Sequence, residues 1–568
     1  MAKFNGVSLS DGISYGNIVK VKDNNQHIFF SPTKDKENEK HRVREALNFA
    51  EEYQLALIEK YKDDDEIRNI LTSYLYMIKD EDLLKKLDET IDSISCKAEY
   101  AIQTEFEKVI NSMLLGESEY LKSRGDDLYS VMNKILKLLS GNKSADANDL
   151  QAGSVVTAEM LSPIFLAGAD INKIVGIITS SSSPTSHLAI VARSLKIPMV
   201  TCTKEDMNSM ADDQIVIIDG TNGMVITNPT AEDMQYYDNL MCDLNAEKEK
   251  LERYKELEGK TIDGIRIAVQ ANIVSKEDVA WACREGAEGI GLVRTEMLFH
   301  NMSRIPTMEQ QMAVYKEIVE NAPGNSVVFR LFDFSSDKDF FNVIGKDGKS
   351  GNIGYRGIRV LLENEKVLRD QIRAILLSSE DGEVTILVPF VSTPDEIIRV
   401  REIIDEEYEF FMANSIPLNQ SVKLASMIET PSAAILSDEI ARQVDMLSIG
   451  TNDLIQYTLG ADRNSSRTLS CFKNYHPAVL RFISMTADAG KRNQIPVCVC
   501  GEAASDLRLI RILVGLGITQ LSVTPDKVQP VKSEVEKHEF SDDVIFANNI
   551  MASSTVMEAE AMLAVSEL

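Results

Sequence analysis

His187 stands in the run Ser181-Ser-Ser-Pro-Thr-Ser-His-Leu-Ala-Ile-Val-Ala-Arg193, where small residues give way to an apolar stretch. The pattern predicts a loop entering a helix, with Thr185 or Ser186 as the N-cap. An imidazole at that point meets free backbone amides and the positive end of the helix dipole, which disfavour a protonated ring and favour an anion. A neutral ring is a nucleophile, and its phosphorylated form would be stabilised in place. The chain has six histidines, and none of His27, His41, His300, His476 or His538 occupies such a loop. His476 precedes Pro477 at a predicted helix start, which suits a structural role.

A second set of chemistry-bearing residues is spread through the C-terminal half. Arg294-Thr-Glu296, Arg330, Asp333, Glu429, Asn452-Asp453 and Cys500-Gly-Glu502 each close a short β-rich run. Lys338 follows the Arg330 run, Arg356 and Arg359 lie in Gly354-Tyr-Arg-Gly-Ile-Arg, and Arg463 lies in Ala461-Asp-Arg-Asn. One arginine at a strand end would be read as a salt-bridge partner, but polar residues at five strand ends point to a common rim. Glu429 and Asp453 offer hard oxygen ligands suited to Mg²⁺ or Mn²⁺. The arginines and Lys338 suit a small, highly anionic substrate. Metal and arginines together are what phosphoryl transfer needs, since its catalysis is mostly positioning and charge neutralisation. Cys498 and Cys500 are two apart and share one strand face. Cys498 reads as core. Cys500 would reach the rim, where a thiol can act as general acid or base; a buried structural thiol is equally compatible with the sequence.

These residues need a scaffold. Eight β-rich runs are expected: Ile265–Ile273, Gly289–Glu296, 327–334, Val384–Val391, Lys423–Thr430, Met446–Asp453, Pro496–Glu502 and Gln520–Thr524. Each but the last is followed by a helix-patterned stretch. That rhythm predicts a (β/α)₈ TIM-type barrel over 261–568, with its active site at the C-terminal ends of the strands. A doubly wound open sheet is the alternative for this half. Upstream, 1–30 and 145–230 read as one α/β domain, opening with one or two short strands and placing a helix over Leu188–Leu195. Residues 31–144 read as three or four amphipathic helices inserted into it as a bundle. Residues 231–260, highly charged and ending at Gly259, read as a connecting helix. The fold class is therefore α/β, multidomain.

Composition sets outer limits. A chain of 568 residues with 44% hydrophobic content can build several cores. The formal net charge of −28 disfavours a nucleic-acid partner. It would steer a basic protein partner, and solubility alone explains it equally well. Seven dispersed cysteines read as reduced thiols in a cytoplasmic protein. Neither a signal peptide nor membrane insertion is expected.

Taken together, the chain resembles the Enzyme I family of the bacterial phosphotransferase system, the phosphoenolpyruvate–protein phosphotransferases. The likeness runs from Gly6-Val-Ser-Leu-Ser-Asp-Gly to Leu521-Ser-Val-Thr-Pro. It is carried by Thr185-Ser-His187 with Ala192-Arg-Ser, Gly289-Ile-Gly-Leu-Val-Arg-Thr-Glu, Gly354-Tyr-Arg-Gly-Ile-Arg, Met427-Ile-Glu-Thr-Pro, Ser448-Ile-Gly-Thr-Asn-Asp-Leu-Ile-Gln-Tyr-Thr-Leu, His476-Pro-Ala-Val-Leu-Arg and Val499-Cys-Gly-Glu.

The resemblance implies an α/β phosphohistidine domain in which His187 accepts a phosphoryl group on Nε2. It implies that Arg294, Arg330, Arg356 and Arg463 hold the phosphate and carboxylate of phosphoenolpyruvate. Lys338 and Asn452 match further substrate ligands. Glu429 and Asp453 match Mg²⁺ ligands, and Cys500 matches the acid that protonates the pyruvate enolate. The helical insertion would bind the carrier protein HPr, the barrel would form a homodimer, and His187 would travel between partners by hinging at the connecting helix. Phosphoryl transfer to HPr is the first step of sugar uptake by this system. The sequence differs from the family pattern at Ser182-Ser183, Ser335-Ser336 and Ser505, where glycines are usual. Tyr74 replaces an expected histidine, and Asp126-Asp127 are followed by Leu-Tyr-Ser. Two alternatives stay in view. One is a nucleotide-dependent relative such as pyruvate phosphate dikinase, which would need a further large domain. The other is a non-catalytic paralogue with a regulatory binding role.

Overall fold

The N-terminal run of β-branched residues, serines and glycines builds three strands, one more than the sequence suggested. They are β1 (Ala2–Asn5), β2 (Val7–Ser10) and β3 (Ile13–Lys20). The computed structural model describes residues 2–21, 28–62, 64–114, 119–140, 150–184, 186–299, 304–333, 354–380, 382–416, 418, 422–461, 468 and 471–566. Lys338 and Arg463 lie outside the described residues, as do Ser335 and Ser336. The chain divides into two units, Met1–Asn245 and Ala246–Leu568.

In the first unit, β4 (Ser154–Ala158), β5 (Ile174–Thr179), β6 (Met199–Thr201), β7 (Ile215–Asp219) and β8 (Met224–Thr227) join the first three strands. The sheet order is β1-β8-β7-β3-β4-β5-β6-β2. Strands β3 to β6 run parallel, while β7 and β8 return antiparallel. Between β3 and β4 the described residues form five helices rather than three or four. These are α1 (Lys36–Lys60), α2 (Asp65–Ile78), α3 (Glu81–Ile94), α4 (Ala98–Leu114) and α5 (Glu119–Leu139). Aspartates start three of them. Asp35, Asp64 and Asp80 accept hydrogen bonds from first-turn amides of α1, α2 and α3, each cap contributing about 1 kcal/mol.

The bundle shares one core with the sheet domain. Val43, Ile67, Leu71 and Phe106 belong to the same buried cluster as Leu188, Ala189 and Val191. Those last three lie on α7 (His187–Ser194), which follows the short α6 (Pro163–Gly168). Polar ties reinforce this packing. The Tyr61 hydroxyl and Lys60 Nζ donate to the Ala167 carbonyl at 3.1 and 2.9 Å. After α8 (Lys204–Ser209), the charged stretch forms α9 (Ala231–Glu252), which ends earlier than Gly259 in a turn of 3₁₀ helix.

The second unit is a closed barrel of eight parallel strands. They are β9 (Ala268–Ile273), β10 (Ile290–Arg294), β11 (Ser326–Arg330), β12 (Glu383–Val388), β13 (Lys423–Ile428), β14 (Met446–Ile449), β15 (Val497–Val499) and β16 (Gln520–Val523). They pair in sequence order, and β16 closes against β9. The open-sheet alternative is therefore excluded. Both strand faces are buried, as all-parallel strands require. Inward residues Leu292, Val328, Leu387, Ala425, Met427 and Cys498 pack in the lumen. Alternating outward residues such as Val293, Phe329 and Ile386 join the core under the surrounding helices. Each full burial contributes on the order of 1.5–3 kcal/mol.

Seven of the eight strands stop short of the expected ends; β9 alone ends where expected, at Ile273. Glu296 falls in the helix Thr295–Leu298, and Asn452 and Asp453 fall in the helix Thr451–Leu459. Asp333 and Glu429 follow their strands in irregular segments. Arg294 and Arg330 do end their strands, but the other polar residues that looked like strand ends sit in the βα connections, where the backbone leaves the ladder to aim side chains across the rim. Among the described residues no helix is long and apolar enough to cross a membrane.

Candidate active site

At the C-terminal rim of the barrel, arginines and carboxylates alternate. Arg330 ends β11 and pairs with Glu296, and its Nη1 stands 3.4 Å from Asp333. Arg356 precedes the helix Ile358–Glu363 and bridges two carboxylates. Its Nε donates to Asp333 at 3.0 Å and its Nη1 to Asp453 at 3.1 Å, while its Nη2 also pairs with Asp333. Burial disfavours both guanidinium charges, but the facing carboxylates outweigh it and raise both pKa values: Glu296 and Asp333 for Arg330, Asp333 and Asp453 for Arg356. Arg330 Nε is buried without a hydrogen-bond acceptor among the described residues. A buried donor of that kind is what an anionic ligand would satisfy. Arg294 ends β10 directly opposite Arg330 in the strand register.

Glu429 lies at the centre, 1% exposed, and its Oε1 accepts the Phe390 amide at 2.7 Å. Burial, with the charges of Asp453 and Asp333, pushes its carboxyl up to about 8. Hard oxygens crowded in this way fit a divalent cation, whose charge would reverse the mutual repulsion. Space is reserved as well. A Cβ on Gly450 would come within 2.8 Å of Glu429 Oε2. The described residues contain no cluster of three or more His, Cys, Asp or Glu placed to hold a metal. Glu429 and Asp453 are the two carboxylates that could hold an oxygen-seeking divalent cation here.

Asn452 and Glu502 brace each other across the rim: Asn452 Nδ2 donates to Glu502 Oε1, and the Glu502 amide donates to Asn452 Oδ1, both at 3.1 Å. Cys500 is buried and faces the lumen. Ser448 Oγ donates to its Sγ at 3.3 Å, and Asn272 Nδ2 donates to its carbonyl at 3.2 Å. Burial raises the thiol pKa, the Ser448 hydrogen bond lowers it, and the charges of Glu429, Arg330 and Arg294 act on it too. Arg294, Arg330, Arg356, Glu429, Asn452, Asp453 and Cys500 thus gather at one rim. Cys498 is core, as expected.

The first unit holds His187. Ser186 is the N-cap of α7, its Oγ accepting from the Ala189 amide at 3.3 Å. His187 is therefore the first helical residue. The preceding loop is pinned by Arg193, whose Nη1 donates to the carbonyls of Pro184 and Leu9. His187 Nδ1 lies 3.0 Å from Asp127 Oδ1 on α5. The Tyr74 hydroxyl on α2 donates to the same oxygen at 2.6 Å. An imidazole that gives its Nδ1 proton to a carboxylate keeps its lone pair on Nε2. His476, by contrast, caps the helix Pro477–Asn493 through its Nδ1.

Sequence reasoning left several participants without a role. Asp333 was noted at its strand end, yet its bridging of two arginines depends on where Arg356 arrives from downstream. Phe390 takes φ 58°, a region costly for a bulky residue. That geometry aims its amide at Glu429 and lays its ring 5.1 Å from the Arg356 and Arg359 guanidinium carbons. Gln371 is fully buried, accepting from the Phe332 amide and donating to Thr295, which in turn donates to the Arg330 carbonyl. No local pattern marks Phe390 or Gln371. Asp127 was visible only as a departure from a motif.

Comparison with known proteins identifies the family. Residues 248–540 match the PEP-utilising enzyme PEP-binding domain, 150–223 the PEP-utilising enzyme mobile domain, and 5–124 the PEP-utilising enzyme N-terminal domain. The phosphoenolpyruvate-protein phosphotransferase of Listeria monocytogenes is 32% identical, with 98% of each chain covered. That of Geobacillus stearothermophilus is 33% identical over 94% of this chain and 92% of its own. The Haemophilus influenzae protein of the same name is 30% identical, again with 98% of each chain covered. The chain belongs to the phosphoenolpyruvate-protein phosphotransferase family.

Proposed function

We propose that this chain transfers the phosphoryl group of phosphoenolpyruvate to Nε2 of His187 and from there to a histidine of an HPr-type carrier protein. Phosphoenolpyruvate-dependent phosphoryl transfer in the phosphotransferase system is the reaction of its family. The observation that carries the reading for this chain is the barrel rim, where arginines, two metal-ready carboxylates and a buried thiol converge.

In the first half-reaction the Nε2 lone pair forms the N–P bond as the bond between phosphorus and the enol oxygen breaks. The electron pair leaves with the pyruvate enolate. Arg294, Arg330, Arg356 and Arg463 would hold the phosphate and carboxylate, with Lys338 and Asn452 as further ligands. Mg²⁺ held by Glu429 and Asp453 would supply positive charge to the phosphate oxygens. Mn²⁺ has the same preference for oxygen ligands. Cys500 gives its proton to the enolate methylene carbon and forms pyruvate, and the resulting thiolate regains a proton from solvent. In the second half-reaction the carrier's imidazole attacks phosphorus and His187 leaves as a neutral ring.

The five-helix insertion would dock the carrier, and the barrel would carry the contacts of a homodimer. The test is pyruvate release with phosphoenolpyruvate, Mg²⁺ and a purified carrier. Glu429→Gln should reduce turnover by at least a hundredfold, since oriented charge of this kind is worth 10²–10³ in rate. Turnover unchanged in that variant would remove Glu429 from the metal site.

A further inference from the structure

Tyr74 is a phenol sealed between α2 and the phosphoryl-acceptor histidine, 0% exposed. Its hydroxyl donates to Asp127 Oδ1 at 2.6 Å, the oxygen that also faces His187 Nδ1 at 3.0 Å. Its ring meets the His187 imidazole edge-on, with centroids 6.4 Å apart. Asp127 is itself 3% exposed, and its Oδ2 has no hydrogen bond among the described residues, with Arg124 Nη1 at 3.7 Å. Burial and the Asp127 charge hold the phenol well above its ordinary pKa, so it keeps its proton and acts here as a donor. The three side chains form a relay: phenol to carboxylate, imidazole to the same oxygen.

From this geometry we infer that Tyr74 is a positioning residue for phosphoryl transfer. It locks the Asp127 carboxylate in the rotamer that accepts the Nδ1 proton, which fixes the His187 tautomer with Nε2 free to react. Without the phenol, Oδ1 loses one of its two donors. The carboxylate can then turn toward Arg124, and the imidazole loses the partner that selects its tautomer. Tyr74 touches no reacting atom; it acts through Asp127. The groups facing this pair are Asp126, Asp127 and Arg124 from α5 and Tyr74 from α2. The inference rests on His187 as the phosphoryl acceptor.

The test uses the full chain labelled with ¹⁵N-histidine, together with rates of phosphoryl incorporation from phosphoenolpyruvate and Mg²⁺. Wild type should show the Nδ1-protonated signature at His187. In Tyr74→Phe, which keeps the ring, the signature should shift toward a mixture of tautomers. Incorporation should slow about tenfold with KM for phosphoenolpyruvate unchanged, a loss typical of a mispositioned catalytic group. Asp127→Asn should lose as much, and Tyr74→Phe should add nothing to it, as expected for residues acting in one chain. A wild-type tautomer in Tyr74→Phe overturns the inference, as does a rate loss that adds to that of Asp127→Asn. If Tyr74→Phe fails to fold, Tyr74→His decides. That variant restores a ring donor, so retained tautomer and rate support the inference, and loss of both in a folded protein overturns it. The tautomer is read without phosphoenolpyruvate, so failure of His187 to take up phosphate would be seen separately.

Discussion

The proposed role of Cys500 as the acid requires a thiol that holds its proton. Burial raises its pKa, so the thiol stays protonated, and Ser448 orients the sulfur. A proton kept until an enolate forms beside it is delivered to carbon rather than lost to water. Cys500→Ser should leave the barrel folded and slow pyruvate release by about 10²–10⁴, measured by coupled oxidation of NADH. A loss below threefold would make Cys500 a packing residue. At this scale the sequence was readable wherever a residue's chemistry was out of place for a strand or loop. Arg294 and Glu429 stood out only as part of a set of polar residues at several strand ends, and Cys500 was equally compatible with a buried structural thiol. Asp127 did not stand out, because an aspartate on a charged helix has no distinguishing neighbour in the chain. Its place opposite His187 is created by the packing of α5 and α7 onto one core.

The elements that aim these side chains are the short βα connections of the barrel. Strands β10 and β11 end on Arg294 and Arg330, while β13 to β15 end before Glu429, Asp453 and Cys500, and single backbone features then turn these inward. Gly450 is one such feature, since any side chain there collides with Glu429. Gly450→Ala should displace the Glu429 carboxylate, cost about 1–3 kcal/mol of stability from overpacking, and weaken Mg²⁺ dependence more than phosphoenolpyruvate binding. Metal titration of the initial rate checks this; an unshifted Mg²⁺ requirement would place the metal elsewhere. The eight-strand rhythm was legible because each buried parallel strand reads as a continuous apolar run. The strand ends were not, since past Val388 the chain stays apolar through Pro389-Phe390-Val391, and past Ile449 it goes on as Gly450-Thr451, although pairing has already stopped. The fifth bundle helix was missed for a related reason. Short polar connections between antiparallel helices look much like the polar faces of the helices themselves.

At the scale of the whole molecule, each unit has its own core. Two cores of this size predict two calorimetric transitions. In the His187→Ala variant, Mg²⁺ and phosphoenolpyruvate at a hundredfold over Kd should raise one of them, by about 2.7 kcal/mol in stability. A shift in both transitions would contradict a ligand site confined to the barrel. The formal charge of −28 adds a kinetic expectation. If it steers a basic carrier, phosphoryl transfer to that carrier should slow as ionic strength rises, while autophosphorylation changes less.

The central claim is that His187 carries the phosphoryl group. Intact-protein mass spectrometry after incubation with phosphoenolpyruvate and Mg²⁺ tests it most directly, with His187→Ala beside wild type. The account predicts one acid-labile phosphoryl group on wild type and none on the variant. A folded wild type that gains no mass, or a variant that gains it, would contradict the account.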